Sequence, residues 1–454
     1  MTHGIINRTS GFTILPILLC AAICNSAIPL PTPPIIPNYN RIPIGQIEAS
    51  EAGAYVARAS GITATWYNPA GLGLTQNFAL NASYNGLELM KFRLKDFSSS
   101  LRSLTIDVTP GFLGVVAKLP LKSPKPISLS LALSQPVLWQ TGFDAITQTE
   151  SRSFKLSIFN DVYFTSYYPS MAAGFTVNNK LRFGLGLSFP YSSLDINQTF
   201  SGHPESEDPV DFLLSFQANG TILHLAFSAG LQFQLTDNIL FGAMFRTPGI
   251  MLFRSAWIYY DLLKYSNDTT ISVSLRDTSA VFNYKQPAQF TFGLSYTSLK
   301  WSVELDFNLY QGFGKYTVLR SDDQAISESF NPAEGTTISY RSFPQYFYHN
   351  ETVINAALGG DYRINEHLSL QAGFCTDFSP VNPHNSNIFR SIDLFNITIG
   401  ASTSFRRFTG ALGFRFNFGS SDSYITGKEL LENPIRTRLI FRSFSLIWAI
   451  TLGS

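Results

Sequence analysis

Histidine, cysteine and serine are the residues to ask first about metal or nucleophilic chemistry. The six histidines form no His-Glu-x-x-His pair and no paired ligand spacing. There is no Gly-x-Ser-x-Gly elbow and no Gly-x-x-x-x-Gly-Lys loop to cradle phosphate. The sequence therefore offers no catalytic residue, no metal site and no cofactor. His224, alone among alternating polar residues, reads as a hydrogen-bonding group; a lipid hydrolase would need a serine beside it. The acidic run PESEDPVD (204–211) could hold divalent cations, and reads better as a solvated loop. Arg182 and Arg415 could hold an anionic group, or pair with carboxylates such as Asp306 and Asp361 at modest net energy. One stretch is unlike the rest: ATWYNPAGLGL (64–74) is small, Gly-rich and broken by Pro69. Proline fixes such a turn, Asn68 can cap backbone groups, and Ala70 with Gly71 permits close packing.

The elements that position these residues follow from composition and period. Only 14% of the 454 residues are charged, against about 25% in a soluble domain, while 14% are aromatic, with 39 Phe and 20 Tyr. The net charge of +1 gives no nucleic-acid footprint. Residues 1–27 read as an export signal, with Arg8 ahead of the apolar ILPILLCAAI (14–23) and small residues at Ser26 and Ala27. Cleavage there leaves Cys375 as the one cysteine. Residues 28–76 hold a Pro-rich stretch (28–44) and an Ala- and Gly-rich stretch of short helical turns ended by Asn68-Pro69. No run of about 18 apolar residues follows, so no helix spans a membrane.

From residue 77 to 454 the period is two. LRFGLGLSF (181–189), HLAFSAGLQFQL (224–235), FTFGLSY (290–296), FTGALGFRFNF (408–418) and FSLIWAITL (444–452) each set an aromatic-rich apolar face against a small, polar one. A soluble sandwich shows the same alternation. The aromatics at strand ends and the scarcity of charge on the polar face favour a transmembrane barrel, and Arg182 and Arg415 fall on the polar side, off the lipid. Tight turns at 177–180, 235–238, 297–300 and 364–367 alternate with long polar segments at 200–211, 255–285, 312–350 and 419–438, which read as outer loops. About 375 residues, at roughly 25–28 per strand with its connections, give about 14 antiparallel strands.

Three segments resemble the FadL-type outer-membrane transporters of hydrophobic compounds. EAGAYVARASGITATWYNPAGL (51–72) is similar to the family's plug, QPAQFTFGLSYTSLKWSVELDFNLY (286–310) to its Pro-led strand pair with an inner Asp, and INAALGGDYRINEHLSLQAGFCTDFSPV (354–381) to its hairpin with a Ser-Pro-Val exit. The resemblance implies an all-β, outer-membrane barrel with a small plug inside it. Asn68, Pro69, Ala70 and Gly71 would serve as the plug's gating turn, near an inward kink of a wall strand where a gap opens sideways. It implies passive uptake of a fatty acid or hydrocarbon by a monomer set in outer-membrane lipid and lipopolysaccharide, inserted by the barrel-assembly machinery, with no enzyme activity and no nucleic acid. The aromatic-rich AWIYYDLL (256–263) and FPQYFYH (343–349), with Trp257 and Tyr348, are candidates for a capture groove among the outer segments, and Arg182 and Arg415 for ligand contact inside the lumen. The chain departs from the family at Asp393-Leu394, where a basic residue is expected after Asp, in its Pro-rich N-terminus, and in ending on ITLGS, with Trp448 as a stand-in for the terminal aromatic. An adhesin or structural barrel acting through long loops is the other reading, and a barrel lipid hydrolase a more distant one.

Overall fold

A computed structural model of the chain describes residues 38–39, 41–75, 78–94, 102–119, 127–149, 154–204, 210–266, 268–382, 384, 390–424 and 436–453. The export signal, most of the Pro-rich stretch and the centre of the acidic run 204–211 lie outside the described residues. No described helix is long and apolar enough to cross a membrane, which is silent on strands.

The alternating segments form strands because one face can be greasy and the other polar, as a closed barrel in lipid requires. In chain order they are β1 (Ala79–Leu94), β2 (Arg102–Lys118), β3 (Ile127–Thr149), β4 (Phe154–Asn178), β5 (Leu181–Ser188), β6 (Tyr191–Pro204), β7 (Val210–Gln234), β8 (Ile239–Arg246), β9 (Ile250–Ser266), β10 (Thr269–Asp277) and β11 (Val281–Phe282). Then follow β12 (Gln289–Thr297), β13 (Trp301–Tyr310), β14 (Gly314–Arg320), β15 (Gln324–Asn331), β16 (Gly335–Ser342), β17 (Tyr346–Asn350), β18 (Val353–Arg363), β19 (Leu368–Asp377), β20 (Asp393–Phe405), β21 (Phe408–Tyr424) and β22 (Arg436–Gly453). β5 with β6, and β8 with β9, are single wall strands interrupted at Phe189-Pro190 and Thr247-Pro248-Gly249. So counted, the wall is a closed antiparallel barrel of 14 strands, as the sequence led us to expect, and β1 pairs with β22 to close it. Outward residues such as Phe292, Leu305, Ile399 and Trp448 are exposed, while their neighbours Thr291, Asp306, Thr398 and Ala449 are buried.

The tight turns fall at one end, here the lower end. A further turn joins β20 to β21, with Arg406 at φ 52°. The other end differs from expectation. Segments 255–285 and 312–350 are largely strand rather than loop. β10, β15 and β16 extend the sheet upward from β9, and β11, β14 and β17 form a separate three-stranded sheet. Their alternation had been masked by polar side chains. β4 and β7 run 25 residues each, about 80 Å at ~3.3 Å per residue. That is far longer than the ~25 Å apolar band of such barrels, so they rise well beyond the bilayer.

Candidate functional site: the lumen and its side seam

The lumen has two storeys, built by different residues. In the lower one the chain from Arg41 to Thr75 folds inside the ring as α1 (Ile47–Ser50), α2 (Ala64–Tyr67) and a 3-10 turn, Pro69–Leu74. Nearly all of it is buried. Such irregular backbone must find partners for its amides and carbonyls, and the polar wall face supplies them. On β13, Asp306 accepts from the amides of Tyr55 (2.8 Å) and Val56 (3.1 Å), and Glu304 from those of Ala57 and Arg58 (3.1 Å for the latter). On β7, Gln232 donates to the carbonyls of Ala57 (3.0 Å) and Ala59 (2.8 Å). On β20, Thr398 donates to Ser50 O at 2.7 Å. Arg58 reaches Glu51, Glu304 (2.9 Å) and Asp361 on β18 (3.2 Å) at once.

Asn68, Pro69, Ala70 and Gly71 are fixed as tightly. Asn68 Oδ1 accepts from Ala70 N at 3.1 Å, while its Nδ2 donates to the carbonyls of Val56 and of wall residue Leu231, each at 3.0 Å. Pro69 opens the 3-10 turn rather than merely ending α2. Three wall glycines, Gly174 on β4, Gly184 on β5 and Gly230 on β7, face this turn so closely that a Cβ on any of them would overlap Asn68, Pro69 or Leu72. Gly71 meets the backbone of Ala59 in the same way. The turn therefore sits against β4, β5 and β7, and another segment meets the wall's kink.

That kink is on β3. The β2–β3 ladder ends at Phe112 opposite Ser134. Both strands run on above it, β2 paired only to β1 and β3 only to β4, with a bulge between Ser134 and Val137. Pro136 has no amide to offer a ladder, and its carbonyl accepts instead from Ile42 N at 3.0 Å. The neighbouring Arg41 is wholly buried. It pairs with Glu88 of β1 at 2.6 Å and lies 5.4 Å from the ring of Trp139 on β3 and 5.3 Å from that of Phe441 on β22. Arg41 and Ile42 thus bridge the two sides of an open seam in the wall.

The upper storey is apolar. The inner sheet β11-β14-β17 packs Phe282, Tyr346 and Tyr348 against wall residues Phe164, Phe216 and Tyr260 in one buried cluster. Phe216 and Tyr346 lie 5.5 Å apart, ring to ring, and Phe164 and Tyr284 5.1 Å. Tyr39 stacks on Tyr310 at 4.5 Å, just where the inner segment begins.

The residues singled out in the sequence are not gathered in one place. Tyr348 lies in the upper cluster. Trp257 is half-buried on the opposite face of β9 from Ile258 and Tyr260, its ring 4.7 Å from that of Tyr259 and tilted to it. Arg182 is half-buried near the lower turns, 3.4 Å from Gln232 Oε1. Arg415 is fully buried, but its partners are Glu88 (3.4 Å), Ser445 Oγ (2.9 Å) and Arg41 O (3.1 Å), not Asp306 or Asp361. Leu394, at the expected basic position, belongs to the apolar cluster. His224 is buried on β7, and no group of three or more metal-ligating side chains occurs among the described residues. Arg41, Glu88, Pro136 and the Arg58 network escaped the sequence reading. The one available signal was Arg58 and Glu304 standing inside the family-like segments.

A closed 14-strand barrel with an inner segment, an apolar upper lumen and a side seam is the architecture of an outer-membrane channel. Residues 48–402 match the family described as outer membrane protein transport protein (OMPP1/FadL/TodX), and the chain belongs to that family. It is an outer-membrane transport channel for hydrophobic compounds. Solved structures of the same fold include the toluene transporter TodX of Pseudomonas putida (15% identity, 91% of this chain and 99% of that one, TM-score 0.59). They also include the CymD monoaromatic hydrocarbon channel (15%, 92% and 99%, 0.54) and a Pseudomonas aeruginosa FadL homologue (11%, 93% and 99%, 0.57). No curated protein sequence matches the chain.

Proposed function

We propose that the protein takes up a neutral hydrophobic molecule, a hydrocarbon rather than a fatty acid, and releases it sideways into the outer membrane. The observation that carries this reading is the seam between β2 and β3, which starts at Phe112 and Ser134 and opens from the lumen towards lipid. Outer segments would capture the molecule, and the tyrosine- and phenylalanine-lined upper lumen would hold it. Ring faces and edges favour an aromatic guest by about 0.5–1.5 kcal/mol per good pair. A carboxylate would find Lys285 already seated over the ring of Tyr316 at 4.6 Å. Arg41 and Arg415 already share Glu88, and Leu394 is apolar. The inner segment 41–75 would act as the plug, with the Asn68–Gly71 turn as its fixed base and Arg41-Ile42 as the part that must yield at the seam. No step needs a nucleophile, a cofactor or ATP. The barrel closes on itself and would work as a single chain, inserted by the barrel-assembly machinery and surrounded by lipid and lipopolysaccharide.

The test is competitive uptake. Cells lacking their own channel of this family and expressing this chain are given labelled toluene and labelled decanoate. Toluene uptake at least several-fold above the empty-vector control, with decanoate at control level, is expected. The reverse order would overturn the choice of substrate class.

A further inference from the structure

The contact between the inner segment and the wall holds more carboxylates than cations. Glu51 ends α1 and rests its backbone on Gly359 of β18 and Gly373 of β19. Its carboxylate faces Arg58 and lies within the field of Glu304 on β13 and Asp361 on β18. Asp306 is the next inward residue of β13, and Arg363, half-exposed, stands 3.7 Å from Asp361. From the inner segment itself come Glu48, held by Thr63 and Gln46 N, and the ring of Tyr55 beneath Arg58. β19 contributes the thiol of Cys375, packed on Ala52 and Ala54, and β20 only the neutral Thr398. Glu51, Glu304, Asp306 and Asp361 thus share two cations, one of them half in solvent.

The four carboxylates are not satisfied alike. Glu304 accepts from two backbone amides, one on each oxygen, and Asp361 has Ser302 and two arginines. Asp306 accepts two amides on Oδ2, while its Oδ1, beside Glu304, is buried with no donor. Glu51 has Arg58 on one oxygen, while its Oε1 is buried with no donor. A buried oxygen without a donor is where an excess of like charge is relieved by a proton.

We propose that Glu51 is a proton-binding site that ties docking of the inner segment to pH. The segment docks with Glu51 as the neutral acid and gives that proton to water when it leaves the wall. Burial pushes the Glu51 carboxyl up to about 8, against the opposing pull of Arg58. The docked state therefore binds more protons than the undocked one. Docking is strongest below the ordinary carboxylate range, weakens as pH rises through it, and levels off near pH 8. The inference concerns docking alone and stands whichever molecule is transported.

The amides of residues 55–58, bonded to Asp306 and Glu304, report undocking by hydrogen–deuterium exchange of the full chain in detergent. Intrinsic exchange rises about tenfold per pH unit, and release of one proton adds up to about tenfold more. Between pH 5 and 8 the logarithm of the rate should rise with a slope above one and approaching two, and return to one above pH 8. In Glu51→Gln, where Asp306 alone of the four keeps a buried oxygen without a donor, the slope should fall below the wild-type value towards one. Asp361→Asn, which spares Glu51 and removes a like charge, should move the upper bend to lower pH and also serves if Glu51→Gln does not assemble. A wild-type slope of one throughout, a steep slope that survives in Glu51→Gln, or a bend unmoved by Asp361→Asn would each overturn the proposal.

Discussion

The two storeys of the lumen are made from the same strands and behave as opposites. The lower one is a polar lock, in which wall carboxylates, amides and glycines hold each turn of residues 45–75. The upper one is an aromatic chamber that contributes mainly ring faces, with Lys285 set over the ring of Tyr316. A buried hydrogen-bond network has one good arrangement and is costly when half-made, whereas aromatic packing can re-form around a guest. The contrast places stability below and adaptability above, with Arg41 and Ile42 at the boundary, beside the seam.

The largest effect should come from breaking the lock at its hub. Arg58→Ala leaves Glu51, Glu304 and Asp361 buried without their shared cation, a loss of about 3–5 kcal/mol. Ion conductance of the reconstituted barrel should rise and residues 45–75 should become open to protease, while ligand affinity of the upper lumen persists. Next comes Gly230→Leu. Its side chain meets Asn68 and Pro69, and overpacking of this kind costs about 1–3 kcal/mol, read as a lowered midpoint in thermal unfolding. Asn68→Ala strips bonds from Ala70 N, Val56 O and Leu231 O and should cost about 1–3 kcal/mol by the same measurement. The smallest change is expected above. Tyr348→Leu removes ring contacts with Tyr316 and Tyr284, worth about 0.5–1.5 kcal/mol each. Toluene uptake should fall a few-fold with conductance unchanged. An upper-storey variant that leaked ions, or a lower-storey one that altered only uptake, would blur the distinction.

Much of the barrel was legible because period two leaves little choice. With lipid outside, LRFGLGLSF and FTFGLSY can point only one way, and Arg415 had to face inward. The strand number followed from spacing. The Asn68 turn could be read because proline, asparagine and glycine have local roles. The upper inner sheet was not legible. Residues 314–320 and 346–350 are short and mix polar with aromatic residues, and what makes them strands is pairing with each other and burial against β7 and β9. The seam was hidden for a related reason. Pro136 announces a break in β3 but not which neighbour lets go. Arg41 lay in a Pro-rich stretch with no pattern to mark it, and its role exists only through Glu88, Trp139 and Phe441, which are distant in sequence.

The central claim is that the guest leaves through the wall between β2 and β3 and not through the lower lock. A toluene analogue carrying a photoactivatable diazirine, bound to the reconstituted channel, irradiated and mapped by peptide mass spectrometry, tests it directly. Labels on the upper chamber and on the seam residues Phe112, Gln135 and Trp139, with none on residues 55–59 or 68–73, are the expected result. Labels running down through Ala57, Asn68 and Gly71 to the lower turns, with the seam unmarked, would contradict it.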